Sequence, residues 1–177
     1  QNSQEEIEKA LQLFRKQMSG EPLFLSSGFD HPLLPCIYRM EELVVEKMSW
    51  GLVPAWTKDL KQALETRNMT LNARAETMFE KKSFASAAAH RRCLLPITGF
   101  YEYQYNKGKK YPYFIDWTDE SLRLLACIWE EWINPASGLP EKTFAIVTTK
   151  GNPLMATIHN SPELDEPRMP VILEGEK

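Results

Sequence analysis

The sequence predicts an α+β fold: a single domain with a curved, barrel-like, mainly antiparallel β-sheet and flanking helices. Three observations carry this reading. From Cys36 onward, short apolar or aromatic runs bounded by turn residues follow one another in hairpin succession. Helical spacing of apolar residues is confined to a few segments between those runs. No internal repeat, low-complexity tract or shift in composition divides the 177 residues, a length that suits one domain with a full core.

Taken in order, Ser3 to Glu6 has the Ser-x-x-Glu pattern of a capping box, and Ile7, Ala10, Leu11, Phe14 and Met18 follow at helical spacing until Gly20. Pro22 to Pro35 reads as loop, with a short strand at Leu23 to Ser26 and irregular backbone at Phe29-Asp30-His31-Pro32. Cys36 to Met40 and Leu43 to Trp50 are strands joined by a turn near Glu41-Glu42. In Trp50-Gly51-Leu52-Val53-Pro54-Ala55-Trp56 the glycine and proline preclude a regular helix, which puts both tryptophans on a turn. Lys58 to Met69 and Met78 to Ala89 are predicted helices, the second with Phe79 and Phe84 inward, and Leu71 to Thr77 lies between them.

The centre of the chain is Arg91 to Tyr103. An apolar run, Cys93 to Ile97, breaks at Gly99, where a bulge or close backbone approach is expected, and resumes as an aromatic run around Glu102. Lys107-Gly108-Lys109-Lys110 is a hairpin tip. Strands are expected at Tyr111 to Trp117, Leu122 to Trp132 and Thr143 to Thr149, with turns at Thr118 to Glu120 and Asn134 to Gly138. A short helix over Asn152 to Ile158 delivers His159, and Met169 to Leu173 is a last strand. The chain opens without methionine and closes on a polar tail with nothing to pack on that strand, so it reads as trimmed at both ends.

Composition narrows the function. Hydrophobic residues at 43% and charged residues at 25% are ordinary for a globular chain. There is no apolar run near the ~20 residues that cross a bilayer and no opening signal peptide, which argues against a membrane partner. Cys36, Cys93 and Cys127 lie far apart without a CxxC and read as reduced, buried thiols of a cytoplasmic protein. No metal or other cofactor is called for. A net charge of -3 and a pI near 5.7 argue against bulk nucleic-acid binding, so any such site is a local patch.

Four features can carry chemistry. Glu102 sits among Phe100, Tyr101, Tyr103 and Tyr105, on the strand face opposite Tyr101 and Tyr103. A carboxylate that loses solvation in aromatic surroundings suits proton transfer near neutral pH. By itself a lone glutamate there reads more readily as a solvated residue on an outer strand face. In Asn72-Ala73-Arg74-Ala75-Glu76, Asn72 can donate and accept, Arg74 can grip a phosphate, and Glu76 can hold Arg74; a helix cap with a surface ion pair is the competing reading. His159, flanked by an apolar residue and a turn, is the histidine best placed for acid–base work, although a lone histidine is often structural. Phe29, Trp50, Trp56, Arg74 and Arg168 combine aromatic faces with cations, as single-strand binding surfaces do, and as ordinary cores with surface charges also do.

Together these motifs resemble the SRAP family, the SOS response-associated peptidase or abasic-site processing proteins. The matching pieces are Trp50 to Trp56, Leu71 to Thr77, Arg92-Cys93 through Gly99 to Tyr103, and Ile158-His159 followed by Arg168-Met169-Pro170, in the family's order from Trp50 to Leu173. The resemblance implies one α+β domain that binds single-stranded DNA and bonds covalently to an abasic site. The family's nucleophile is an N-terminal cysteine, whose amine and thiol close a thiazolidine on the sugar aldehyde. It implies Asn72, Glu102 and His159 as active-site residues, and Arg74 as a phosphate contact; Trp50, Trp56 and Arg168 join Arg74 on the expected DNA surface. Lyase activity, autoproteolysis, a place in the SOS response and a monomeric state belong to the same expectation. This sequence departs from the family's pattern in three places: no cysteine stands at Gln1, Asn160 to Pro167 separates His159 from Arg168, and Ser26 to Pro35 lacks an Asn-x-x-Pro loop. Two other functions fit the residues: a cysteine peptidase pairing Cys93 with His159 and Asn72 or Glu102, and a non-catalytic single-strand binding module.

Overall fold

A computed structural model describes residues 2–18, 26–119 and 121–173. Its centre is a ring of five strands. β1 (Leu33–Arg39) and β2 (Leu43–Trp50) form an antiparallel hairpin, with Leu33 opposite Ser49 and Arg39 opposite Leu43. β1 also pairs with β4 (Arg92–Ile97), β4 with β7 (Arg123–Ile133), and β7 with β8 (Pro140–Lys150), all antiparallel. β8 then meets β2, at Ser49↔Thr143 and Trp50↔Phe144, and closes the barrel.

That last pairing is parallel, so the sheet is mainly antiparallel, as the sequence suggests, with one parallel seam closing the ring. Hairpin succession dictates direction only between strands joined by tight turns. β2 and β8 lie far apart in sequence, and nothing local sets their relative direction. The short β3 (Asn72–Arg74) also runs parallel to β8, with Ala73 opposite Val147.

Inside the ring Cys36, Met48, Cys93, Cys127 and Phe144 are buried together, which explains the apolar runs around the cysteines. β7 and β8 splay beyond Cys127↔Ile146, and the strands β9 (Arg168–Pro170) and β10 (Ile172–Leu173) enter the gap, on β8 and β7 respectively. Val171 between them donates its N–H to Val147 O at 2.8 Å and accepts from Ala126 N–H at 2.9 Å.

Helices cover the outside. α1 (Asn2–Gln17) buries Ala10 and Phe14 against Ile37 and Leu124. The Ser3 side chain of the expected capping box, the expected stop at Gly20 and the strand expected at Leu23 to Ser26 fall largely outside the described residues. α2 (Leu60–Met69) starts where Asp59 accepts the Gln62 N–H at 2.7 Å. The helix predicted over Met78 to Ala89 shrinks to α3 (Ala85–His90), preceded by successive turns, and Phe79 is 60% exposed while Phe84 is buried. The two phenylalanines stand five positions apart, a spacing that cannot place both on one helical stripe. α4 (Pro153–Ile158) begins at Asn152, whose side chain accepts the Met155 N–H at 2.9 Å, and ends at His159.

The remaining pair, β5 (Gly99–Asn106) and β6 (Lys109–Asp116), is a two-stranded sheet separate from the barrel. Its turn residues Lys107 and Gly108 have φ of 48° and 81°, the left-handed pair that a two-residue turn of this kind demands. At the base, a Cβ on Gly99 would lie 2.7 Å from Ile115 O and 2.4 Å from the Phe114 ring, so the close backbone approach expected there is present. A cleft of about 440 Å³, lined by Phe100, Ile115, Thr149, Met155, Met169 and others, lies beneath the hairpin.

Candidate functional site

The register of β5 on β6 sorts the hairpin's side chains. Tyr101, Tyr103 and Tyr105 stand opposite Phe114, Pro112 and Lys110 on the outer face; Phe100, Glu102 and Gln104 stand opposite Ile115, Tyr113 and Tyr111 on the face that meets α4. The alternation read from the sequence therefore holds, and Glu102 is the sheltered residue, with its side chain 23% exposed. Its Oε1 accepts the Tyr103 N–H at 2.9 Å, and Oε2 lies 3.9 Å from His159 Nδ1.

His159 arrives as the residue that ends α4, with its side chain 21% exposed. Its Nδ1 is 3.0 Å from both the N–H and the C=O of Arg168. Unprotonated, Nδ1 accepts from that N–H; protonated, it donates to that carbonyl. The ring is thus gripped in either state, while Nε2 makes no hydrogen bond among the described residues and is left to carry a proton.

Arg168 is held in turn. Its guanidinium donates Nη1 and Nη2 to Glu76 at 3.2 and 2.8 Å, Nη1 to Glu166 at 2.9 Å and Nη2 to Thr148 O at 2.9 Å. Hydrogen bonding from Arg168 pulls the Glu76 carboxyl down to about 2. One expectation changes here. Glu76 pairs with Arg168, not Arg74, because the turn after β3 carries it to β9. The Arg168 side chain is 10% exposed and lies among these acceptors as a strut behind His159, more enclosed than the open cation expected of a DNA contact.

Asn72 and Arg74 share the outward face of β3 on either side of the buried Ala73. Arg74 is 54% exposed and, among the described residues, its one ion-pair partner is Asp165 of the His159–Arg168 loop, at 4.0 Å. Asn72 is exposed and bonded to neither Glu102 nor His159. The structure thus joins Glu102, His159, Arg168 and Glu76 by direct contacts, and brings Arg74 to the edge of that group through Asp165.

The tryptophans part company. Trp50 ends β2, donates Nε1–H to Leu71 O at 2.8 Å and stacks on Phe144 at 6.3 Å, with Gly28 against its ring, and is partly buried against the barrel core. Trp56 does ride a turn and is 44% exposed, with Lys82 Nζ 4.7 Å over its ring. Phe29 is exposed at a short 3-10 turn, Gly28–Asp30.

Cys93 is buried in the barrel beside Cys36 and Cys127, and burial pushes its thiol well above the usual range. A thiol so placed is inert, which removes the Cys93–His159 peptidase reading. Reading the sequence alone missed Tyr113, directly across from Glu102, and the side chains of Gln104 and Asn160. Tyr113 was reachable by counting outward from the Lys107-Gly108 turn, since a two-residue turn fixes the register.

The model of one family, SOS response associated peptidase (SRAP), matches residues 7–177. The chain belongs to the SRAP family. Among curated SRAP relatives, the abasic site processing protein YoqW of Bacillus subtilis is 40% identical over 131 residues, 73% of this chain and 53% of its own. The abasic site processing protein HMCES of Gallus gallus is 32% identical over 155 residues, 77% of this chain and 44% of its own. This chain therefore spans about half the length of the curated relatives it matches. A crystal structure of a protein from Bacteroides thetaiotaomicron superposes with a TM-score of 0.82 at 34% identity, covering 95% of this chain and 73% of that one.

Proposed function

We propose that this chain processes abasic sites in single-stranded DNA by bonding covalently to the opened sugar. The observation that carries the reading is the Glu102–His159 pair, a carboxylate and an imidazole 3.9 Å apart on a partly sheltered face with the exposed Arg74 at its margin. The relatives' names, abasic site processing proteins, support the abasic site as the target.

The chemistry uses an N-terminal cysteine, which a chain carrying Met-Cys ahead of Gln1 provides once the methionine is removed. His159 gives a proton to the sugar ring oxygen while the C1′ hydroxyl gives its own to water; the C1′–ring oxygen bond breaks and the hemiacetal opens to the aldehyde. Glu102 takes a proton from the N-terminal ammonium, and the freed amine adds to the aldehyde carbon. The resulting carbinolamine loses water to give an imine, and the thiol adds across it, sulfur to carbon and proton to nitrogen, closing the thiazolidine. Aldehyde and cysteine thereby yield one adduct and one water, with each proton moved by a positioned acid or base. The same residues run in reverse release the DNA, and proton loss from the carbon next to the imine would expel the 3′ phosphate in a lyase step. Asn72 holds the opened sugar by hydrogen bonds, and Arg74 takes a backbone phosphate.

The test is a denaturing gel with labelled single-stranded DNA carrying one abasic site. The Gln1 chain is expected to form no adduct that survives denaturation, because the backbone nitrogens of Cys36, Cys93 and Cys127 are locked in amides. The chain with Met-Cys upstream is expected to form one, and Glu102→Gln or His159→Ala to slow its formation or reversal about 10²-fold or more. If the Gln1 chain cross-links as well as the extended one, the nucleophile is internal and the mechanism is wrong. If neither reacts and both bind DNA, the non-catalytic module is the right reading.

A further inference from the structure

The hairpin that carries Glu102 shares no ladder with the barrel among the described residues, and a two-stranded ribbon by itself is marginal in water. Its base is continuous with β4 at Gly99, but Glu102 lies further out, where something else must hold it over His159. Two amide side chains do so. Gln104, two positions past Glu102 on the same face, donates Nε2–H to Thr157 O at 2.9 Å and accepts from Tyr113 Oη–H at 3.2 Å. Asn160, next to His159, accepts the Tyr105 N–H at 2.7 Å and donates Nδ2–H to Tyr105 O at 3.1 Å.

The Asn160 pair reproduces what a neighbouring strand would offer one residue of β5, a donor and an acceptor together. Thr157 and Asn160 bracket His159 along one segment, while Gln104 and Tyr105 follow Glu102 along the other. Both links use neutral amides, so neither link depends on the charge of the carboxylate or the imidazole it holds together.

We propose that Gln104 and Asn160 are positioning residues, a two-amide clamp that sets the Glu102–His159 separation and with it the rate of the covalent step. The proposal rests on reading that pair as the proton-transferring centre. Misplacing a catalytic group by about 1 Å can cost about 10²-fold in rate, while DNA affinity, assigned to Arg74 on the barrel side, does not depend on the clamp.

The experiment compares first-order adduct formation at saturating abasic DNA with equilibrium DNA binding, in the chain extended by Met-Cys. Asn160→Ala is expected to slow the reaction roughly 10- to 100-fold with affinity unchanged. Asn160→Asp, which keeps the acceptor for Tyr105 N–H, recovers part of the loss. Adding Glu102→Gln to Asn160→Ala slows the reaction little beyond Glu102→Gln alone, as expected of residues acting through one another. An unchanged rate in Asn160→Ala, or a loss matched by weaker DNA binding, overturns the proposal.

A second arm needs no activity. Glu102→Gln should shift the His159 ring resonances in the native chain and leave them unmoved when Asn160→Ala is present. An equal shift in both backgrounds also overturns the clamp. If the extended chain forms no adduct at all, the proposed chemistry fails and the ring resonances still decide the clamp. Gln104→Glu, which keeps the side chain's size but cannot donate to Thr157 O, carries the same two measurements if Asn160→Ala does not fold.

Discussion

In the barrel, Cys36, Met48 and Phe144 are wholly shielded from solvent, whereas on the β5–β6 hairpin Tyr101, Tyr103, Tyr111, Tyr113 and Phe114 remain 43–53% exposed. One region closes a ring of backbone hydrogen bonds around a buried interior; the other is a ribbon whose aromatics are half exposed and whose hold on α4 and the residues after it is a few hydrogen bonds from amide side chains. Buried apolar area stabilises at about 25 cal/mol per Å², so most of the folding free energy resides in the barrel. Glu102 is carried by the region that contributes less. Damage to the barrel should therefore appear in melting, and damage to the hairpin in reactivity.

The largest expected effect comes from breaking the barrel. Phe144→Ala removes a fully buried ring and the stacking partner of Trp50, and should cost about 3–5 kcal/mol in denaturant unfolding. A loss under about 1 kcal/mol would mean the interior can collapse around the gap and the contrast is overstated. Gly99→Ala attacks the joint between the regions, forcing a methyl against Ile115 O and the Phe114 ring. It should cost about 1–3 kcal/mol, and slow adduct formation by more than that destabilisation explains. A rate unchanged in the folded variant would separate the hairpin's base from the site.

Glu76→Gln probes the strut behind His159. The carboxyl sits at about 2 in the folded chain against an ordinary value of 4.5, because Arg168 hydrogen-bonds its charged form. A lowered folded value means that the stabilisation is complete above pH 4.5, shrinks as the pH falls below it, and is gone once the pH passes about 2. The native chain should melt higher than Glu76→Gln at neutral pH, with the difference closing over that window. A gap that persists at pH 2 would assign it to packing. Arg74→Ala should leave melting unchanged, weaken single-stranded DNA binding about equally for all sequences, and lower the salt slope by about 1. An unchanged slope removes Arg74 from the DNA surface. The smallest effect is expected at Tyr103→Ser on the outer hairpin face, within about ±0.5 kcal/mol in melting; a larger loss would mean that face packs more tightly than its exposure implies.

What could be read without the structure followed from local rules. Alternation placed Glu102 opposite Tyr101 and Tyr103, Gly99 marked a close approach, and Asn152-Pro153 marked the start of the helix that delivers His159. The parallel β2–β8 pairing was not legible, since it depends on how distant strands return. Glu76 and Arg168 stand far apart in sequence, and only the crossing of β3 and β9 on β8 makes them partners. Trp50 illustrates the same limit: an aromatic beside a glycine reads equally as a stacking surface or as core, and its bond to the Leu71 carbonyl and its stack on the Phe144 ring come from residues distant in sequence.

Val171, the residue that stitches both edges of the splayed barrel, is synthesised after every other strand of the ring. Until it docks, Val147 O and Ala126 N–H lack these partners, and the parted strands present open edges to any extended segment nearby. Such edges invite pairing between chains, and pairings between sequence-distant strands form slowly. The interval between translation of β8 and arrival of the β9–β10 strap is thus the period of greatest aggregation risk. Mutations that weaken the strap should lower soluble yield on expression before they lower the melting point of the chains that do fold.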